Sequence, residues 1–465
     1  MENKTNKRIL ISCGVILVIA CICLGVVIVS GIGVSFIWPL QASQEEAQVT
    51  PTATSQEPGD EDLPTPSSTL PEELADLLYE IETQVIEIRG LDISESVDRT
   101  LISPAELETI VVEDFFTEYS DEDARQDVAV LSLLGLLPDE FNLKSFYQDL
   151  YSEQIAGFYD DEIEEIYVVQ GETFGGNEKL TYAHEFTHVL QDQAYDLSDG
   201  LGLNEESCEE DSERCAAVQA LIEGDATKTE LLWFQSHATF RDYRDIQEFF
   251  SNFSSPILDA APPYMAADLG FPYEKGLAFI EYLYEQNGFD AVDRAYQNNP
   301  VSTEQILHPE KYPDDEPAPV TLPDLTAILG EGWTLFDQNV MGEWYTFLIL
   351  NKGFEEAYRL PDETASEAAA GWGGDAYAFY QNSTSGEALF VMDAIWDTTE
   401  DAKEFADAFE AYASQRWEAT EGETNGIPTW SDPSSTTLLK LDGNRTLWLL
   451  ATDRETIAPV LDQFE

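Results

Sequence analysis

His184-Glu185-Phe186-Thr187-His188 sets two imidazoles four residues apart, with a carboxylate beside the first. Four residues make slightly more than one helical turn, so on a helix His184 and His188 leave the same face. Two imidazoles at that spacing can hold one zinc ion. Glu185 stands where it can take a proton from a water on that ion. The 465-residue chain has four histidines, and half of them lie in this pentapeptide. The stretch from Glu178 to Tyr195 reads as one helix with a mostly apolar body, built from Leu180, Ala183, Phe186, Val189, Leu190 and Ala194. A helix apolar around most of its surface is buried. Buried His and Glu side chains then need a partner, and a metal supplies one.

A hydrolytic zinc site takes three protein ligands and leaves the fourth position to water. The best third ligand is Glu223, 35 positions after His188, in Ala220-Leu-Ile-Glu-Gly-Asp-Ala-Thr227. This stretch opens a second apolar helix running through Leu231, Leu232, Trp233 and Phe234. Asp225 or Asp192 is positioned to accept a hydrogen bond from a zinc-bound imidazole. The expected cofactor is one zinc ion per chain.

These residues resemble a gluzincin metallopeptidase, in which H-E-x-x-H is completed by a Glu on a following helix. His184 to Asp192 is similar to the active-site helix of the thermolysin-like group. The wider pattern resembles uncharacterised bacterial membrane-anchored proteins with an H-E-x-x-H-x-L-Q-D-Q helix and a later E-G-D-A. The chain departs from the thermolysin pattern at Thr227, where an aspartate is expected, and in its longer spacing to the third ligand. The resemblance implies peptide hydrolysis and an edge strand ahead of the motif helix. The segment from Ile155 to Val169 reads as a hairpin that can supply that strand. It also implies a later oxyanion donor, for which His308 or Tyr312 is the candidate. His237 reads as structural.

Lys4, Lys7 and Arg8 precede an uncharged apolar run from about Ile9 to Trp38, long enough to span a bilayer. The basic flank places the N-terminus in the cytoplasm and the rest outside, which predicts a single-pass signal anchor in the cell membrane. Lipidation at Cys21 is the alternative. The Pro, Ser, Thr and Glu content of residues 39–70 predicts a disordered stalk. The formal charge of −69 argues against nucleic acid as a partner. Three of the five cysteines lie in the apolar run. Cys208 and Cys215 remain, and as the only pair in an extracytoplasmic part they suggest a disulfide, with free thiols as the alternative.

The fold class expected is α+β. A predominantly helical, zincin-like domain with a small sheet covers residues 71–325. A helical connection and a C-terminal α+β accessory domain cover 326–465. In that last part, Ala388–Trp396 reads as a strand and Thr398 to Ala413 as a helix. Thr436 to Leu441 and Thr446 to Thr452 flank an Asp-Gly-Asn-Arg turn and read as a hairpin. The reading as a whole is a membrane-anchored, outward-facing zinc metallopeptidase acting on a peptide or protein substrate. The alternatives are an inactive binding protein on the same scaffold and a zinc hydrolase of non-peptide substrates.

Overall fold

The computed structural model describes residues 70–110, 119–154, 157–161, 163–169, 174–417 and 422–464. The apolar run around the histidine motif forms a 20-residue helix, Gly176–Tyr195. The Gly175 amide donates to Glu178 Oε2 at 2.8 Å and closes its first turn. Beside it lies a three-stranded sheet of β1 (Asp98–Ile102), β2 (Gly157–Asp160) and β3 (Glu165–Val169), in the order β1-β3-β2. β2 and β3 are the antiparallel hairpin, and β1 joins β3 in parallel from 67 residues upstream, Asp98 pairing with Glu165. β2 is therefore an outer strand. Ile155, Ala156 and Glu162 of the predicted hairpin segment lie outside the described residues.

The helix that carries Glu223 begins earlier than its apolar pattern suggests, spanning Ser212–His237. It packs against the helix Pro263–Asn287. A Cβ added at Gly224 would overlap the backbone carbonyl of Gly276, and one at Gly276 would overlap the Ala220 carbonyl oxygen. The two backbones meet one residue after Glu223, and only glycine permits that approach. The motif helix and the Glu223 helix also pack directly on each other.

The C-terminal part is a seven-stranded antiparallel sheet in the order β4-β5-β6-β10-β9-β8-β7. Its strands are β4 (Trp333–Asn339), β5 (Trp372–Asn382), β6 (Ala388–Trp396), β7 (Gly422–Thr424), β8 (Ile427–Ser431), β9 (Thr436–Asp442) and β10 (Arg445–Ala451). Both faces of the central strands are covered, which explains the nearly unbroken apolar run of β6. Phe390, Met392 and Trp448 face one cluster together with Phe405 and Phe409 of the helix Thr399–Arg416. Leu389, Val391 and Leu449 face another cluster that holds Ile457 and Val460. The strands β4, β5, β7 and β8 have no clear signature in the sequence. β5 has Gly373-Gly374 inside it and a register shift between Trp372 and Asp375, which breaks its alternation.

The molecule is α+β, as its sequence predicts. The sheet begins at Trp333, yet one hydrophobic cluster runs from Ile102 and Leu107 through Tyr264 and Met265 to Phe390 and Leu450. The helical part and the sheet thus share a core. Among the described residues no helix is long and apolar enough to cross a membrane. The predicted anchor, residues 9–38, and the stalk up to residue 69 lie outside the described residues.

Candidate metal centre

His184, His188 and Glu223 come together, with donor atoms all within 4.8 Å of one another. Glu223 Oε2 lies 3.2 Å from His184 Nε2 and 3.5 Å from His188 Nε2. A tetrahedral ion with bonds of about 2.0–2.1 Å sets its ligand atoms about 3.3–3.4 Å apart, so the spacing fits such an ion. All three side chains are 0 % exposed, as is Glu185.

The far nitrogen of each imidazole is held from behind. His184 Nδ1–H donates to Glu230 Oε2 at 3.1 Å, and His188 Nδ1–H donates to Gln191 Oε1 at 2.8 Å. The Gln191 amide is oriented by two acceptors for its Nε2, the Ile222 carbonyl and Asp225 Oδ2, each at 3.0 Å. Its oxygen must therefore face His188. With both Nδ1 atoms donating outward, the Nε2 of each neutral imidazole presents its lone pair to the Glu223 carboxylate. Three lone-pair donors converging in a dry site repel one another unless a cation lies between them. His188 Nε2 and Glu223 Oε1 have no hydrogen-bond partner among the described residues. The donor set of two nitrogens and one oxygen suits zinc.

The electrostatics point the same way. Burial works against charge on both imidazoles. The Glu230 and Glu223 carboxylates outweigh it for His184, and Glu223 does so for His188, so both sit above the ordinary histidine range. Burial likewise opposes ionisation of Glu223, but His188 and His184 overcome it and hold that carboxyl down to about 2. Positive charge is favoured at the centre of the cluster.

Sequence reasoning placed the supporting carboxylates differently. Asp192 does not reach an imidazole. It accepts from Tyr159 Oη at 2.8 Å and from the Leu197 amide at 3.1 Å, and so ties β2 to the motif helix. Asp225 acts one step further back. Its carboxylate accepts from Gln191, from Tyr296 Oη at 2.9 Å and from Arg89 Nε at 2.9 Å, and Arg89 pairs in turn with Asp293 at 2.7 Å. The residues that touch the imidazoles are Gln191 and Glu230. Both had a signal in the sequence, since Gln191 is three residues after His188 and Glu230 is seven, or two turns, after Glu223.

His308 and Tyr312 are not brought to the cluster. His308 Nε2 pairs with Glu343 at 2.8 Å, and Tyr312 Oη donates to the Asn298 carbonyl at 2.7 Å. Tyr273 instead packs on His184, with ring centroids 6.3 Å apart. Cys208 and Cys215 form a disulfide, with Cα atoms 5.5 Å apart. It ties the short helix Glu205–Glu210 to the first turn of the Glu223 helix. A second acidic group, Glu304, Asp315 and Asp397, encloses Lys311 Nζ at 2.6, 3.2 and 2.7 Å. The ammonium already supplies the cation there.

A family model described as Domain of unknown function (DUF8575) matches residues 334–461, which is the seven-stranded sheet with its helices and not the donor cluster. No curated protein and no solved structure matches the chain.

Proposed function

We propose that the protein is a zinc-dependent metallopeptidase, anchored in the membrane by residues 9–38 and facing outward. The observation that carries this is the convergence of His184 Nε2, His188 Nε2 and the Glu223 carboxylate within 4.8 Å, beside Glu185, with each imidazole Nδ1 held from behind. His184, His188 and Glu223 would hold the ion. When bound, zinc supplies Lewis acidity for a water and for a peptide carbonyl. Glu185 would take a proton from the attacking water and pass it to the departing amine. β2 supports a peptide substrate in particular. A Cβ added at Gly157 would come within 3.7 Å of Glu185 Cγ, so an outer strand runs alongside the base. An extended peptide added to such a strand would be held through its main chain. Tyr273, whose ring packs on His184, replaces His308 and Tyr312 as the candidate for the oxyanion donor.

The complete burial of all four groups favours one competing reading, a closed structural zinc site with no hydrolytic role. Two variants of the full-length protein separate the readings. Glu223→Ala should abolish tight zinc binding. Glu185→Gln should keep about one zinc per chain and lose peptide hydrolysis. Absence of tightly bound zinc in the unmutated protein removes both readings. Zinc without peptidase activity that depends on Glu185 leaves the structural one.

A further inference from the structure

A cavity of about 430 Å³ lies between the helical part and the sheet, and it shares a wall with the donor cluster. Tyr273 lines the cavity and packs on His184, while Gln219, one turn before Glu223 on the same helix, lines it too. The volume suits a ligand the size of one or two amino-acid side chains.

The lining has a distinct chemistry. Six of its 28 residues are acidic, the same share as the 91 acidic residues in the 465-residue chain, so acidity alone says nothing. Six are tyrosines, against 20 in the whole chain, and none is Lys or Arg. Tyr147, Tyr151, Tyr264, Tyr273, Tyr345 and Tyr377 therefore line the cavity together with its carboxylates. Asp268 accepts from Trp344 Nε1 at 2.9 Å and Tyr345 Oη at 2.6 Å. Glu213 accepts from the Thr303 amide at 2.6 Å and its hydroxyl at 2.7 Å. Each of these donors is neutral, and burial pushes both carboxyls up.

Two buried polar atoms on this wall have no partner among the described residues. Tyr264 Oη belongs to a residue 3 % exposed, and Gln219 Nε2 to one 6 % exposed. Orphaned buried polar atoms cost free energy, and they are kept where a ligand completes them. The two differ in kind. Gln219 Nε2 can only donate, so it asks for an acceptor. Tyr264 Oη, in the electrostatic reach of Asp268 and Asp127, can accept from a cation.

We infer that this cavity is the pocket for a basic residue of the peptide substrate, with Gln219 donating to that residue's main-chain carbonyl. Its guanidinium or ammonium group would lie among Tyr264, Asp268 and the neighbouring tyrosine faces. Aromatic faces and carboxylates without a competing base recognise organic cations. The inference rests on the metallopeptidase reading for its substrate class.

The test uses full-length Glu185→Gln protein, so that binding is read without turnover. Titration calorimetry compares an arginine-containing pentapeptide, the same peptide with uncharged, isosteric citrulline, and free arginine amide. The arginine peptide should bind at least about tenfold more tightly than the citrulline peptide. Tyr264→Phe and Asp268→Asn should each shrink that ratio in a protein whose far-UV spectrum is unchanged, and Tyr264→Phe removes a single oxygen atom. Equal binding of the two peptides overturns the inference, as does a ratio untouched by both variants. Arginine amide binding as tightly as the peptide would make the ligand a free cation and overturns the peptide assignment. Failure of the metallopeptidase reading looks different: the arginine preference persists in a protein with neither zinc nor hydrolysis.

Discussion

Removing Glu230 should weaken zinc binding without removing a ligand. Its carboxylate accepts from His184 Nδ1–H at 3.1 Å in a site with 0 % exposure. That bond selects the tautomer whose Nε2 lone pair would face a bound ion, and it would make the imidazole a stronger donor. Glu230→Leu removes both effects at similar volume. Loss of such a support costs about 10–100-fold in metal affinity, or about 1.4–2.7 kcal/mol. Glu230→Gln keeps an acceptor oxygen but not the charge, so its loss should be smaller. Competition against a chromophoric chelator, with the full-length protein, reads the affinity directly. Asp192→Asn is the control, because its partners are Tyr159 and Leu197, and it should leave zinc affinity unchanged. A folded Glu230→Leu protein with undiminished zinc affinity would refute the tautomer argument. So would an Asp192→Asn variant that lost more zinc affinity than Glu230→Leu.

Arg89 and Asp225 are both fully buried and paired at 2.9 Å, so Arg89→Met strands a buried carboxylate and should cost about 3–5 kcal/mol in urea unfolding. The double variant Arg89→Met/Asp225→Leu should recover part of that loss. Gly224→Ala forces a methyl into the Gly276 carbonyl, so it should lower the melting temperature and weaken zinc binding by separating the Glu223 helix from its neighbour. A Gly224→Ala protein with unchanged melting temperature would contradict the close approach. Replacing Cys208 and Cys215 with serine opens a loop with a sequence separation of 7 and should destabilise by roughly 2.5 kcal/mol on the chain-entropy account. Thermal unfolding with and without reductant checks it.

The sequence by itself determined the elements whose information is local. A motif of two histidines one turn apart, inside a helix-period apolar run, specifies which face they share wherever that helix is placed. The same holds for the β9–β10 hairpin, where a turn sequence separates two apolar runs, and for β6, whose apolar run is unbroken. Glu223 stood out as a candidate because the expected zinc site asks for a third ligand and this carboxylate opens a second apolar helix. The tertiary structure decided what lies behind the ligands. Asp192 and Asp225 have the right residue type and stand near the ligands in sequence. The hydrogen-bond acceptor of His184, however, lies on the Glu223 helix, so it depends on how that helix packs against the motif helix. That packing brings Glu230 to His184 and sets the Ile222 carbonyl and Asp225 against the Gln191 amide, while Asp192 goes to Tyr159 of β2. His308 went to Glu343, 35 residues away, and Tyr312 to the Asn298 carbonyl, 14 residues away, because a side chain's partner beyond its own helix depends on packing that no local pattern encodes. β1 and β5 were hidden likewise, one because its partner is 67 residues away and the other because its glycines and bulge erase the period-2 signal.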